Sequence, residues 1–172
     1  MEAIYAIDSN NGLSKKGTIP WKSKKDILFF MNKTENNIVI MGKTTFFSIP
    51  KEHRPLKNRL NIVLTSDMHL NTTNKDSNVL FTKNINIHQV ILQNRNEYCE
   101  KYPFLHKDFR IMFIGGKTIY EQFIPLCDKI WVTQIKRDYD CDLFINYDYS
   151  KNFSEELYDE DDELRIVEYN RI

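Results

Sequence analysis

The sequence predicts one α/β domain over residues 1–172, on three observations. Short apolar runs alternate with polar or helical stretches along the whole chain. No internal repeat and no Pro/Ser-rich linker divides it. Its 172 residues suit one domain and are enough to bury a core.

Ile4–Ile7 reads as a buried first strand, and Asn10–Gly17 as a polar loop punctuated by glycine. Ser23-Lys24-Lys25-Asp26 has the form of a capping box and opens a helix that runs to about Asn32. Ile38–Met41 is a second buried strand, followed by Gly42 and a short helix near Thr44–Ser48. Leu60–Leu64 and Val79–Thr82 are the next two strands, and Ile85–Asn94 is weakly helical. Arg110–Ile114 is a strand that runs into Gly115-Gly116, then a helix Thr118–Ile124 stopped by Pro125. Ile130–Ile135 alternates as a strand. Leu164–Tyr169 alternates with period two, which suits an antiparallel edge strand. The acidic stretch Glu155–Glu163 reads as a solvated loop or hairpin turn before it.

Lys+Arg and Asp+Glu each number 24, so the formal net charge is zero. Nucleic-acid and anionic-membrane binders carry a basic excess, so neither partner is expected. No apolar run approaches the roughly 20 residues that span a bilayer, and the N-terminus lacks the pattern of a signal peptide. The three cysteines have no C-x-x-C spacing and the four histidines are scattered, so neither a disulfide framework nor a metal site is expected. A reducing, cytoplasmic setting fits.

Two joints share one logic. Ile38–Met41 leads to Gly42 and Lys43-Thr44-Thr45. Ile111–Ile114 leads to Gly115-Gly116 and Lys117-Thr118. A helix start offers free N–H groups and a positive dipole end to phosphate, and glycine allows close approach. Neither joint is the G-x-G-x-x-G fingerprint, and each glycine also suits a plain tight turn. Asp26 is similarly open to two readings. It completes a capping box, or it faces an apolar cleft beside its i+4 neighbour Phe30 and holds a flat, nitrogen-rich ring.

Taken in order, Pro20-Trp21 with Asp26, Ile40–Phe46, Ile114-Gly115-Gly116 with Tyr120–Phe123, and Val132-Thr133 resemble the dihydrofolate reductase family from Ile4 to about Tyr169. The resemblance implies a three-layer fold: a central, mostly parallel sheet with an antiparallel C-terminal strand and helices on both faces. It implies reduction of dihydrofolate by NADPH, with hydride arriving at pterin C6 and a proton at N5. Asp26 matches the acid that bonds the pterin 2-amino group and N3, Thr133 the hydroxyl that supports it, and Trp21 the indole that holds a nearby water. Ile4, Tyr5 and Phe30 fall at pterin contacts, Ile49 and Leu56 along the substrate tail, and Arg59 at the glutamate α-carboxylate.

On the cofactor side, Ala6 and Leu13 match nicotinamide contacts, and Gly42, Lys43, Thr44 and Thr45 the first phosphate joint. Leu64, Thr65 and Ser66 match the adenosine wall and Lys83 a basic residue near the 2′-phosphate. Ile114, Gly115, Gly116, Lys117, Thr118 and Tyr120 match the second joint, where the family links the glycines by a cis peptide. The loop from Asn10 to Lys22 matches a flap over the nicotinamide. The resemblance also implies a monomer that binds antifolates such as methotrexate, with no thymidylate synthase domain attached.

Four departures from the family pattern stand out: Ser14 in the flap, a bulky Tyr5 expected to narrow the pterin pocket, Asn146 in place of a proline, and Ser23–Lys25 without the usual proline. Two other readings are a pteridine or riboflavin-pathway reductase on the same fold, which need not keep Trp21, Asp26 and Arg59 together, and a non-catalytic folate-binding protein.

Overall fold

The computed structural model describes all of residues 1–172. The chain opens with β1 (Glu2–Ile7), a short β2 (Gly12–Ser14), α1 (Lys24–Thr34), β3 (Ile38–Gly42) and α2 (Lys43–Ser48). Then come β4 (Leu60–Leu64), α3 (His69–Thr73), β5 (Val79–Thr82), α4 (Ile87–Gln93), α5 (Arg95–Lys101), β6 (Ile111–Phe113) and α6 (Lys117–Phe123). The last part holds β7 (Lys129–Ile135), β8 (Leu143–Phe144), β9 (Phe153–Glu160) and β10 (Leu164–Arg171).

Eight strands form one sheet in the order β5-β4-β3-β6-β1-β7-β10-β9, and β2 pairs with β8 apart from it. All pairings from β5 to β7 are parallel, while β10 runs antiparallel to both β7 and β9. Parallel central strands are covered on both faces and so must be apolar throughout. β3 shows this: Ile38, Val39, Ile40 and Met41 are all 0% exposed, each contributing about 1.5–3 kcal/mol by burial. Alternation divides the side chains into layers. Ala3, Tyr5, Ile7, Ile38 and Ile40 meet Ile91 of α4 and Phe123 of α6 on one face. Ile4 packs with Phe29 of α1, and Val39 and Met41 with Phe46 of α2, on the other. The three-layer fold is thus present as expected.

Two expectations are corrected. The acidic stretch is not a loop: Phe153–Glu160 is the edge strand itself, and β10 lies one place inside it. An exposed row of Glu155, Glu156, Asp159 and Glu160 is what an edge strand uses to repel other strands. Its charges are also met by neighbours, with Lys25 Nζ 3.0 Å from both Asp159 and Asp161. The weakly helical Ile85–Asn94 resolves into α4, with α5 following directly and missed from sequence.

Candidate active site

The sheet opens where its topology reverses. β6 ends at Phe113 opposite Ala3, whereas β1 continues beside β7 to Ile7. Ile4–Ile7 therefore lack a strand on the β6 side. Crevices at such switch points, at the carboxyl ends of parallel strands, are where α/β sheets hold ligands. The carbonyl of Ile4 is met there by a side chain, accepting the Tyr120 hydroxyl at 2.9 Å.

Three elements bring the acid to this gap. Ser23 caps α1, its hydroxyl accepting the Asp26 N–H at 3.2 Å. The Asp26 carboxylate does not return a bond to Ser23 N, so the capping box is only half closed and the acid stays free for another task. It faces Thr133 on β7, which pairs with Ala6 of β1, and Trp21 in the loop before α1. Burial pushes the Asp26 pKa above the usual carboxylate range, although the Thr133 hydroxyl and Trp21 indole pull it down. Trp21 Nε1 is buried and faces that carboxylate, yet no hydrogen bond of full geometry closes between them. Both features mark a site awaiting a polar ligand rather than a finished core.

The far end of α1 fixes a cation. Arg59 is 5% exposed. Its Nε donates to Lys57 O at 2.8 Å and its Nη1 to Thr34 Oγ1 at 3.0 Å. Thr34 in turn donates to Phe30 O at 2.8 Å. Asp26 and Thr34 are eight residues apart on one helix, which is about 12 Å of rise. The acid and the guanidinium are therefore held as two poles of a cleft, with Phe30 half-buried between them. Ile49 and Leu56, both half-buried, pack beside α2.

The two glycine joints meet on the same edge. Gly42 N donates to Gly115 O at 2.9 Å, and Gly115 and Gly116 are joined by a cis peptide. Neither α2 nor α6 has a side-chain cap, so their first amides remain free. A Cβ on Gly116 would come 3.4 Å from Thr45 Oγ1, so the joints nearly touch. Lys43 and Thr44 are exposed, with Thr45 half-buried. Lys43 Nζ lies 3.0 Å from Asp67 Oδ2. Leu64 ends β4 and Thr65 follows it, both half-buried, and Ser66 and Lys83 are exposed beyond them. Ile114 and Lys117 are half-buried and Thr118 exposed. Free amides, hydroxyls and lysines on one edge, with glycine in place of bulk, fit an elongated anion with several phosphates.

A match to the dihydrofolate reductase family model runs over residues 1–171. The chain belongs to the dihydrofolate reductase family. The dihydrofolate reductase of Drosophila melanogaster is 31% identical, covering 98% of this chain and 91% of the fly protein. That of Ureaplasma parvum is 32% identical, covering 92% and 91%. The viral dihydrofolate reductase of Saimiriine herpesvirus 2 is 31% identical, covering 84% and 67%. As a dihydrofolate reductase, the chain is an oxidoreductase that reduces dihydrofolate with a nicotinamide cofactor and supports one-carbon metabolism. No helix is long and apolar enough to cross a membrane.

Within the site, one residue is not where the sequence reading put it. The Tyr5 side chain does not reach the Asp26 face and does not narrow the pocket. Period-two alternation turns it into the other layer, its ring 5.0 Å from Tyr120 and its hydroxyl 2.7 Å from that of Tyr149. Only its backbone borders the gap. Leu13 packs into that same layer, 9% exposed, while Ala6 stays half-buried on the Asp26 side. Ser14 sits in β2, paired with β8, and is free of positive φ. Asn146 has a use: its Oδ1 accepts Asn11 Nδ2 at 3.0 Å, tying the first loop to the segment after β8.

Sequence reading missed Ile27 and Met31, 56% and 43% exposed on the flank of α1 next to Asp26 and Phe30. The signal was present. Ile27–Met31 is apolar all round, more than a helix needs to bury one stripe.

Proposed function

We propose that this chain, acting as a single-domain monomer in the cytoplasm, reduces 7,8-dihydrofolate with NADPH in the gap between β1 and β6. The observation that carries the reading is Asp26: a carboxylate held above its usual pKa beside Thr133 and Trp21, at the mouth of a gap flanked by both glycine joints. Asp26 accepts the substrate's 2-amino group and N3, with Thr133 fixing the carboxylate's orientation. Ile4, the Tyr5 backbone and Phe30 border the ring, Ile49 and Leu56 the tail, and the open side of the Arg59 fork takes the α-carboxylate.

NADPH supplies the hydride when bound. Gly42–Thr45 and Ile114–Thr118 receive its phosphates, Leu64–Ser66 its adenosine, and Ala6, Leu13 and Tyr120 border its ring. Asp26 polarises the pterin so that N5 accepts a proton from solvent near Trp21, while the walls exclude bulk water from the two rings. Methotrexate occupies the same cleft. Loss of NADPH absorbance on adding dihydrofolate tests the whole reading, and no loss refutes it.

Lys43, Ser66 and Lys83 favour the 2′-phosphate, so kcat/KM for NADPH exceeds that for NADH by at least about tenfold. Asp67 competes for Lys43, and Asp67→Asn widens the ratio by freeing the lysine. Equal constants for the two cofactors would defeat the NADPH preference.

A further inference from the structure

Asp8 stands at the end of β1's core segment with 2% exposure and no cation beside it. Its Oδ1 accepts Gly12 N at 2.7 Å and Asn10 N at 2.9 Å, closing the turn after β1. Its Oδ2 accepts Tyr139 N at 3.0 Å, from the loop after β7. The neighbouring tie is backbone only, Ser9 N to Arg137 O at 3.1 Å. Tyr139 then places its ring edge-on to Trp21, centroids 5.7 Å apart, and Trp21 shares a buried cluster with Ile4, Phe29 and Cys141. Gly12 leaves no slack in this region, since a Cβ there would lie 2.4 Å from Cys141 Cβ.

We propose that Asp8 is a positioning residue for the reaction: its carboxylate clasps the loop after β1 to the loop after β7 and, through Tyr139, seats Trp21 beside Asp26. This rests on the role given to Asp26 above. Three amide donors are an unusual provision for a mere turn, which needs only the two on Oδ1. The third donor comes from 131 residues away in sequence, so the carboxylate spends half its capacity joining two loops. Despite burial, those amides hold the Asp8 pKa below its ordinary value, so the clasp is ionised at neutral pH. The Cys141 thiol beside it is pushed up to about 11 by burial and by Asp8 itself, and stays neutral.

Asp8→Asn isolates the clasp. The amide oxygen keeps the two bonds of the turn, while the amide NH2 faces Tyr139 N donor to donor. With Trp21 less firmly seated, water reaches Asp26. The groups that face Asp26 are Trp21, Thr133 from β7 and Tyr120 from α6, and burial keeps Tyr120 protonated. The expected result is a roughly tenfold lower kcat/KM for dihydrofolate. The apparent pKa that Asp26 gives the pH–rate profile should move down with it. In a Trp131→Phe background, where Trp21 is the only tryptophan, acrylamide quenching should rise. Tyr139→Leu, which keeps the amide and removes the ring, should reproduce the pKa and quenching changes. Asp148→Asn, at an exposed turn closed on Ser150, should move neither. A lower Tm in Asp8→Asn with unmoved pKa and quenching would make Asp8 a stability residue only and overturn the proposal. If Asp26→Asn leaves the profile unchanged, the reading of Asp26 fails, and the quenching result judges the Asp8 clasp separately.

Discussion

Asp26→Asn should lower turnover about 100-fold or more near neutral pH, with partial recovery as the pH falls. A positioned acid or base typically contributes 10²–10⁴-fold, and Tyr120, the other ionisable side chain that faces Asp26, is kept protonated by burial. The recovery at low pH follows from the mechanism: where solvent acid protonates N5 unaided, the lost carboxylate matters less. Steady-state kcat and kcat/KM from acid to neutral pH check this, and unchanged activity throughout would remove Asp26 from the reaction. The same substitution should act oppositely on stability. Burial raises the Asp26 pKa above its unfolded value, so this group's contribution to folding is most favourable when protonated, below the unfolded pKa. It is lost as pH rises through the folded pKa. At pH 7 the native protein keeps an ionised carboxylate where burial disfavours it, and Asn removes that cost. Asp26→Asn should therefore melt higher than the native chain at pH 7, and the gain should vanish at acid pH. A variant that is less active and more stable is the signature of a residue kept for chemistry rather than for folding.

How far the sequence disclosed this depends on what kind of information each feature carries. β1, β3, β4 and β6 were legible because a strand covered on both faces must be apolar throughout, and such runs are hard to mistake. The Gly42 and Gly115-Gly116 joints were legible because glycine punctuates the change from strand to helix. β9 was not, because an edge strand is marked by charge, and Glu155–Glu163 reads as solvated loop until the pairing of Phe153–Glu160 with β10 is seen. Tyr5 shows a different limit. Resemblance assigned its position to the cleft, but only the alternation of β1 decides which face its ring takes. Asp8 shows a third. Its turn with Asn10 and Gly12 is local, but the bond to Tyr139 joins loops more than a hundred residues apart, and no local pattern announces that.

Gly115→Ala should be the most damaging substitution on the cofactor side, costing both fold stability and kcat/KM. Gly115 has φ +120, a conformation that L side chains rarely adopt, and forcing alanine there costs about 1–3 kcal/mol. Space is short as well. The added Cβ would lie 3.1 Å from Tyr120 Oη and 3.3 Å from its Cζ. Tyr120 cannot simply yield, because its ring packs at a tilt against Tyr5 in the core and its hydroxyl holds the Ile4 carbonyl. A displaced Tyr120 therefore disturbs the floor under the pterin as well as the joint beneath the cofactor. Gly116→Ala is the informative comparison. Its φ of −86 is ordinary and its Cβ would meet only Thr45 Oγ1, at 3.4 Å. It should fold nearly as well as the native chain while weakening cofactor binding by filling the phosphate approach. Thermal melts with and without NADPH, together with KM for NADPH and for dihydrofolate, separate the two. Gly115→Ala should lower the melt and raise both KM values, and Gly116→Ala should raise the NADPH KM alone. If Gly115→Ala binds both ligands normally, Tyr120 does not couple the two halves of the cleft.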